Sequence, residues 1–446
     1  MSVSPARAAA FDILLRVERE SSYATELLHS SRYEAMSLAD HALTTELVMG
    51  VLRWRSLLDA RIAAVSSQTL AKLDAEVLIA LRLGAYQVGW LDRIPARAAI
   101  HASVELVKRA RKRSAVPFAN AILRKLPDAA ADDSIALAQI TAASTAEEIA
   151  ATSAHPKWIV ERWIAQFGID TARQIAEHNQ QRPITTIRLR DPHAAEDLCQ
   201  EGLGLVAGDF LPSARKVVSG DVTRTQVFAA NRVAIQDEAS QLVAALVGRG
   251  RRILDGCAAP GGKTWSIADR NPDATILAVE LHPHRAALLR KRVSAANVEV
   301  ITADLLELPL TEPFDRVLLD VPCSGTGTLA RNPEIKWRLS RQDLRDLATR
   351  QAALLRAAAN RVVTGGRLIY ATCSLEREEN EAVVEQMLAE NPAFHLLDCG
   401  AELSRLRDEG EWTSPEIKPF VRGAYLRTVP GMQRCDGFFA AILEKH

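Results

Sequence analysis

The chain has no surplus of either charge: 55 Lys and Arg stand against 55 Asp and Glu in 446 residues. A polyanion would therefore have to meet a local basic patch, because the overall field does not attract it. Cysteine is scarce. The six residues Cys199, Cys257, Cys323, Cys373, Cys399 and Cys435 are too few for a disulfide scaffold and include neither a CxxC pair nor metal-type spacing. No metal site is expected, and a reducing, cytoplasmic setting fits best. No apolar stretch reaches about 18 residues without a charge, which argues against a membrane-spanning helix. Met1 to Glu20 reads as a charged amphipathic helix with Phe11, Leu14 and Leu15 on one face. It lacks the apolar centre and small-residue cleavage site of a signal peptide. No internal repeat is visible.

What is present is an ordinary globular mixture, 48% hydrophobic and 25% charged. The length calls for several domains, since one core rarely grows past about 250–300 residues. Up to residue 127, apolar residues recur at helical spacing, as in Leu43, Leu47, Val48, Val51 and Leu52, and Pro95 and Pro117 stand where helices would begin. Residues 128 to 154 are small and acidic, and read as a linker, or a linker with one weak helix. Pro183 to Arg190 alternates β-branched residues and predicts a strand within a small α+β region. From Gln236 onward, apolar strands alternate with amphipathic helices. Strands are expected at 252–255, 275–280, 298–302, 316–320 and 366–371, with helices at 263–269, 283–295, 343–360 and 377–390. That is a parallel sheet covered on both faces, closed by an antiparallel pair at 425–429 and 437–443. The expected architecture is multidomain: an all-α bundle over 1–140, a small α+β domain over 141–234, and a Rossmann-like α/β domain over 235–446.

The α/β region carries the chemistry. Asp255-Gly256-Cys257-Ala258-Ala259-Pro260-Gly261-Gly262-Lys263-Thr264 is a glycine turn between the first strand and a helix. In a doubly wound sheet that turn lies where ligands bind; the plainer alternative is a tight turn with no ligand. A phosphate-cradling loop ending on Gly262-Lys263-Thr264 would need glycine at 257, where Cys257 stands, and Pro260 removes one N–H donor. The next strands end in Glu280 and Asp304, suited to a ribose diol and an adenine amine. Taken alone, each acid reads as a loop charge. Three at successive strand tips, Asp255, Glu280 and Asp304, above the glycine turn, imply an adenosine without a phosphate clamp, which S-adenosyl-L-methionine satisfies.

Two further strands lead into Asp320-Val321-Pro322-Cys323-Ser324 and Thr372-Cys373-Ser374. Both cysteines thus fall on the edge that carries the glycine turn, whereas Cys199, Cys399 and Cys435 read as structural and Cys257 is given no chemistry. Paired thiols suit one reaction. Carbon 5 of cytosine is a poor nucleophile, and thiolate addition at carbon 6 turns the ring into an enamine that is rich at carbon 5. Asp320 would hold the ring N3 proton and the amine. One cysteine attacks and the other assists release, and the spacing does not rank them.

These blocks, DGCAAPGGK, LLDVPCSGTGTLARNPEIKW and YATCSLEREEN, resemble the signatures of the NOL/NOP/Sun family of RNA cytosine-C5 methyltransferases. Gln236-Asp237-Glu238-Ala239-Ser240 also matches. Pro117-Phe118-Ala119-Asn120-Ala121-Ile122-Leu123-Arg124 resembles a NusB-like RNA-binding domain, and His155-Pro156-Lys157-Trp158 resembles the start of the family's middle domain. The NusB-like fusion points to the bacterial branch acting on 16S ribosomal RNA, with cytosine 967 as its family target. The resemblance implies a class I methyltransferase domain that binds S-adenosyl-L-methionine through Cys257, Ala258, Ala259, Pro260, Gly261, Gly262, Lys263, Glu280, Asp304 and Asp320. It implies Cys373 as nucleophile and Cys323 as the residue assisting release. Glu280 departs mildly, since family members often carry Asp there.

The partner implied is 16S ribosomal RNA or an assembling small subunit, with no membrane and no obligate protein partner. Phosphate contacts are expected from Lys108, Arg109, Arg111, Lys112 and Arg113, five basic residues in six, and from Arg331 and Lys336. Trp337 either stacks on RNA or packs its own loop. Two rival readings are a P-loop-type ATPase, from Gly262-Lys263-Thr264 and the Val317–Asp320 strand, and a non-catalytic RNA-binding factor, from the helical region and its basic run.

Overall fold

The computed structural model describes residues 3–446, apart from residues 21, 34, 127–132, 310 and 311. The chain forms two compact units, Met1–Arg182 with Leu329–Arg338, and Pro183–Thr328 with Leu339–His446.

The first unit is helical. Its long helices are Pro5–Glu20, Leu38–Arg53, Arg55–Val65, Ala75–Trp90, Ala96–Arg109 and Val116–Lys125, followed by Lys157–Phe167 and Ile169–Gln180. Pro95 is the N-cap of one helix and Pro117 lies in the first turn of another, where a missing N–H costs nothing. Apolar faces meet in one core around Ile13, Leu47, Leu58, Leu81, Leu106 and Ile122. The linker, or linker with one weak helix, expected over 128–154 does not hold over 133–154. Its first part, 128–132, lies outside the described residues, and the rest forms two helices, Asp133–Ala142 and Ala146–Thr152. Thr145 caps the second by accepting from the Glu148 N–H, and Ile140, Ala143, Ile149 and Ala150 are buried. Small alanines allow close helix approach, so few bulky anchors suffice.

Residues 329–338 join this unit through buried polar contacts. Lys336 Nζ donates to the carbonyls of Arg53 (2.8 Å) and Ala154 (3.0 Å), Trp337 Nε1 to that of Leu52 (2.7 Å), and Glu334 Oε1 accepts from the Ala24 N–H (2.8 Å).

The second unit holds two sheets. The smaller is antiparallel, in the order β2 (Gly204–Ala207), β3 (Ala214–Ser219), β1 (Thr185–Leu189), β4 (Val233–Ile235). In the larger sheet β5 (Arg252–Asp255), β6 (Thr275–Glu280), β7 (Val298–Thr302), β8 (Phe314–Asp320) and β9 (Val362–Thr372) pair in parallel, in the order β9-β8-β5-β6-β7. Then β10 (Phe394–Leu397), β11 (Val421–Arg422), β12 (Tyr425–Thr428) and β13 (Phe438–Lys445) add an antiparallel flank, with β13 paired to β9.

Alternate residues feed two cores on opposite faces. Ile253, Leu318, Ile369, Ala440 and Ile442 enter one; Leu254, Val317, Leu319, Leu368, Phe439 and Leu443 enter the other. Burial on both sides explains why these strands are almost unbroken apolar runs. Strand order reverses between β5 and β8, so the crevice at their carboxyl ends is the place where such sheets bind ligands.

Candidate active site

The glycine turn is held by backbone bonds to both neighbouring strands: Gly256 N–H donates to Leu318 O and Ala258 N–H to Val279 O, each at 2.9 Å. Gly261, at φ +103°, ends the turn as the N-cap of helix Gly262–Arg270. A Cβ there would lie 2.6 Å from Leu289 Cδ1, in a conformation that L side chains rarely adopt. The small sheet braces this helix. Asp269 forms an ion pair with Arg188 Nη2 (2.8 Å) and accepts from Arg190 Nη2 (2.6 Å), and the Arg190 guanidinium lies 4.0 Å from the centre of the Trp265 ring.

Asp255 ends β5 almost fully buried, and burial pushes its carboxyl up to about 6 although Thr264 Oγ1 donates to Oδ2 at 2.7 Å. Glu280 ends β6, also buried, with Oε1 accepting from the His282 N–H at 2.9 Å. Asp304 follows β7, half-buried, and accepts from the Leu306 N–H at 2.9 Å. Two buried acceptors beside the turn, Asp255 Oδ1 and Gln236 Oε1, have no hydrogen-bond partner among the described residues. The Gln236 side chain lies against Gly262, 3.6 Å from where a Cβ would be. A set of acceptors around a backbone turn fits a ligand rich in N–H and O–H donors. S-adenosylmethionine offers an ammonium, a ribose diol and an adenine amine.

At the tip of β8, Asp320 Oδ2 accepts from Lys263 Nζ at 2.6 Å. Burial works to neutralise this lysine, but the Asp320 charge and hydrogen bond outweigh it and raise the Lys263 pKa. The ammonium also lies 5.0 Å from the centre of the Phe438 ring. Engaged in this way, Lys263 is a partner of Asp320, in contrast to the phosphate-clamping role of a P-loop lysine.

The structure brings the two candidate cysteines together. Cys323 follows β8, Cys373 follows β9, and their sulfurs are 3.2 Å apart, both half-buried. The hydrogen bond with Cys373, reinforced by burial, raises the Cys323 thiol well above its ordinary value. Their loops are locked by backbone contact: Gly327 N–H donates to Cys373 O (2.9 Å) and Gly437 N–H to Gly327 O (2.8 Å). Cys257 sits in the turn, and burial raises its thiol. Cys399 and Cys435 are buried in the sheet's core and Cys199 is exposed.

Other expected residues lie elsewhere. Lys336 is 1% exposed and donates to two carbonyls, which corrects its expected role: it has no surface to offer a phosphate. Burial, with the neighbouring Arg53 charge, lowers its pKa well below the usual lysine range. Trp337 is half-buried, and its indole N–H donates to the Leu52 carbonyl of helix Leu38–Arg53. Arg331 is half-buried in the same segment. In the basic run, Lys108 pairs with Glu105 (2.6 Å), Arg109 with Asp12 (2.8 Å) and Lys112 with Asp74 (3.0 Å), whereas Arg111 and Arg113 are exposed and unpaired among the described residues.

One buried acid was not anticipated. Glu379 bonds to the residues that follow both cysteines, in the stretch 377–390 where the sequence predicts one continuous helix. The chain instead makes a 3-10 turn at Arg377–Glu379, breaks at Asn380, and resumes at Glu381–Glu390. The run Glu376-Arg377-Glu378-Glu379-Asn380 beside a cysteine motif was the available signal.

Comparison with known proteins places these parts in one family. Residues 245–444 match the family described as 16S rRNA methyltransferase RsmB/F, residues 4–128 the NusB family, and residues 155–214 the RsmF/B-like ferredoxin-like domain. The chain is 30% identical, over 100% of both sequences, to the "Probable ribosomal RNA small subunit methyltransferase B" of Bacillus subtilis (strain 168). It is 33% identical to ribosomal RNA small subunit methyltransferase B of Pseudomonas syringae pv. tomato, over 83% of this chain and 84% of that one. The crystal structure of PH0851 shares the fold, with a TM-score of 0.79 at 24% identity over 100% of both chains. On these grounds the chain belongs to the RsmB/F family of 16S rRNA methyltransferases, whose cofactor is S-adenosylmethionine.

Proposed function

We propose that the protein methylates carbon 5 of a cytosine in 16S ribosomal RNA, cytosine 967 being the family target, through a covalent bond from Cys373 to carbon 6. The observation that carries this reading is the pair of sulfurs 3.2 Å apart at the tips of β8 and β9, beside the Lys263–Asp320 pair. When bound, S-adenosylmethionine supplies an electrophilic methyl group on a sulfonium. The chain's residues do the rest. The glycine turn, Glu280 and Asp304 hold the cofactor. Asp320, kept in place by Lys263, accepts from the amine of a base flipped out of its stack, and from N3–H once N3 has taken up the proton that the attacking thiol gives up. Cys373 adds to carbon 6 and so makes carbon 5 nucleophilic. Cys323 is the partner that assists release of the adduct once a base has taken the carbon 5 proton. Arg111 and Arg113 provide cationic contacts for the RNA backbone. Thiols this close persist unoxidised in a reducing compartment, in keeping with a cytoplasmic enzyme.

The test is a pair of variants with 16S RNA. Cys373→Ala is expected to abolish methyl transfer. Cys323→Ala is expected to leave a protein–RNA adduct that migrates as a shifted band on a denaturing gel. Transfer by Cys373→Ala at the wild-type rate would overturn the nucleophile assignment.

A further inference from the structure

Glu379 is completely buried, yet it carries a carboxylate. Its Oε1 accepts from the Ser324 N–H (2.8 Å) and from Gln351 Nε2 (2.9 Å). Its Oε2 accepts from the hydroxyls of Ser324 and Ser374, each at 2.5 Å. Ser324 directly follows Cys323, and Ser374 directly follows Cys373. One carboxylate therefore grips the residue after each thiol. Nearby groups extend the grip. Gln351 Nε2 also donates to Pro322 O (2.9 Å), and Asn380 Nδ2 donates to Ser374 O (2.9 Å). Tyr370 Oη donates to the Glu379 carbonyl at 2.5 Å.

Burying a carboxylate is costly unless donors surround it. Well-packed apolar residues would often tie two loops together with equal or greater stability. They would not fix direction, whereas four hydrogen bonds on two oxygens fix both distance and angle. We propose that Glu379 is a positioning residue that sets the separation and orientation of the Cys323 and Cys373 thiols. It touches neither sulfur and acts through the backbone of Ser324 and Ser374. The inference rests on the roles proposed above for the two cysteines. Glu379→Gln retains an oxygen for the two obligate N–H donors, while its amide can donate to the serine hydroxyls, which rotate to accept. Glu379→Ala removes the acceptor that all four donors share, leaving the Ser324 N–H without it and the two serine hydroxyls, 3.0 Å apart, with their weaker mutual contact.

The experiment uses the full chain as wild type, Glu379→Gln, Glu379→Ala and the double variant Ser324→Ala/Ser374→Ala. The first readout needs no substrate: diamide joins Cys323 to Cys373, two thiols giving one disulfide while the azo reagent takes up the two hydrogens. The rate is followed by mass spectrometry after alkylation of the remaining thiols. Glu379→Gln is expected to stay within about threefold of wild type, and Glu379→Ala to slow at least roughly tenfold as the sulfurs lose register. In single-turnover methylation Glu379→Ala is expected to lose about 100-fold in rate with KM for RNA nearly unchanged, and Glu379→Gln to recover most of it. Should Glu379→Ala not fold, the double serine variant, which keeps the carboxylate and the Ser324 N–H bond, must show the slowed disulfide. A purely structural role would reduce the folded fraction and leave the disulfide rate of folded molecules unchanged; that result overturns the proposal. Failure of the cysteine roles shows separately, as methyl transfer persisting in Cys373→Ala, without altering the disulfide comparison.

Discussion

Gly327→Ala puts one methyl group where the cysteine loops meet. A Cβ at 327 would lie 2.2 Å from Gly437 O and 2.8 Å from Cys373 O, all backbone atoms. Ordinary contact begins near 3.4 Å, so about 1.2 Å of movement is required. No rotamer change can absorb it, because the obstacles are main chain. Two hydrogen bonds run through the same point, from Gly327 N to Cys373 O and from Gly437 N to Gly327 O. Straining both, at about 0.5–1.5 kcal/mol each, plus about 1–3 kcal/mol for overpacking, gives a loss of roughly 2–6 kcal/mol. For a unit of this size that corresponds to a drop of roughly 5–15 °C in thermal midpoint. Because Cys373 moves with the obstacle, single-turnover methyl transfer should fall by about 100-fold even well below the midpoint. Thermal unfolding by circular dichroism and transfer with saturating RNA measure the two effects. The reasoning is refuted by a variant that melts within about 2 °C of wild type and transfers methyl within about threefold.

Other perturbations follow from the same geometry. Asp320→Asn removes the counter-charge of Lys263 and the acceptor for the base, and should lower transfer by about 10²–10⁴-fold in a single-turnover assay; loss of less than about tenfold would argue against it. Lys336 carries a pKa lowered in the fold, so the unfolded chain binds more protons between that value and the ordinary one. The sign follows: the penalty is present at neutral pH and fades as pH rises towards about 10. Thermal midpoints of wild type and Lys336→Met from pH 7 to 9.5 should therefore shift in favour of wild type with increasing pH, and a constant gap would contradict the assignment. Replacing both Arg111 and Arg113 with alanine should weaken RNA binding and reduce the slope of log affinity against log salt by about 1–2, read by titration at several salt concentrations. An unchanged slope would place the RNA elsewhere.

The sequence was most informative where physical constraint is one-dimensional. Strands covered on both faces, such as Val317–Leu319, must be apolar throughout, so β5, β6, β8 and β9 were legible together with the glycine turn and both cysteines at their ends. Short, half-exposed strands leave little trace: β10, with Phe394 alone fully buried, was missed. The helix expected over 377–390 failed at Asn380 because its side chain is committed to Thr372 and Ser374, a tertiary demand that periodicity does not encode. Lys336 failed for the opposite reason. A lysine in a basic, aromatic segment reads as surface, and two backbone carbonyls 283 and 182 positions away in sequence decided otherwise. Glu379 was visible as a letter in a motif, but its grip on two serines 55 and 5 positions away was not.

The participation of Leu329–Arg338 in the helical unit has a temporal consequence during synthesis. The carbonyls of Arg53, Ala154 and Leu52 lack the donors of Lys336 and Trp337 until those residues have left the ribosome. More than 150 residues separate Arg182 from that point. At bacterial elongation rates of about 5–20 residues per second, the nascent bundle would wait roughly 8–30 s for its last pieces. A polypeptide released at residue 182 would never receive them, so proteolytic excision or early termination there should yield a bundle with a persistent wet gap, not an independent module.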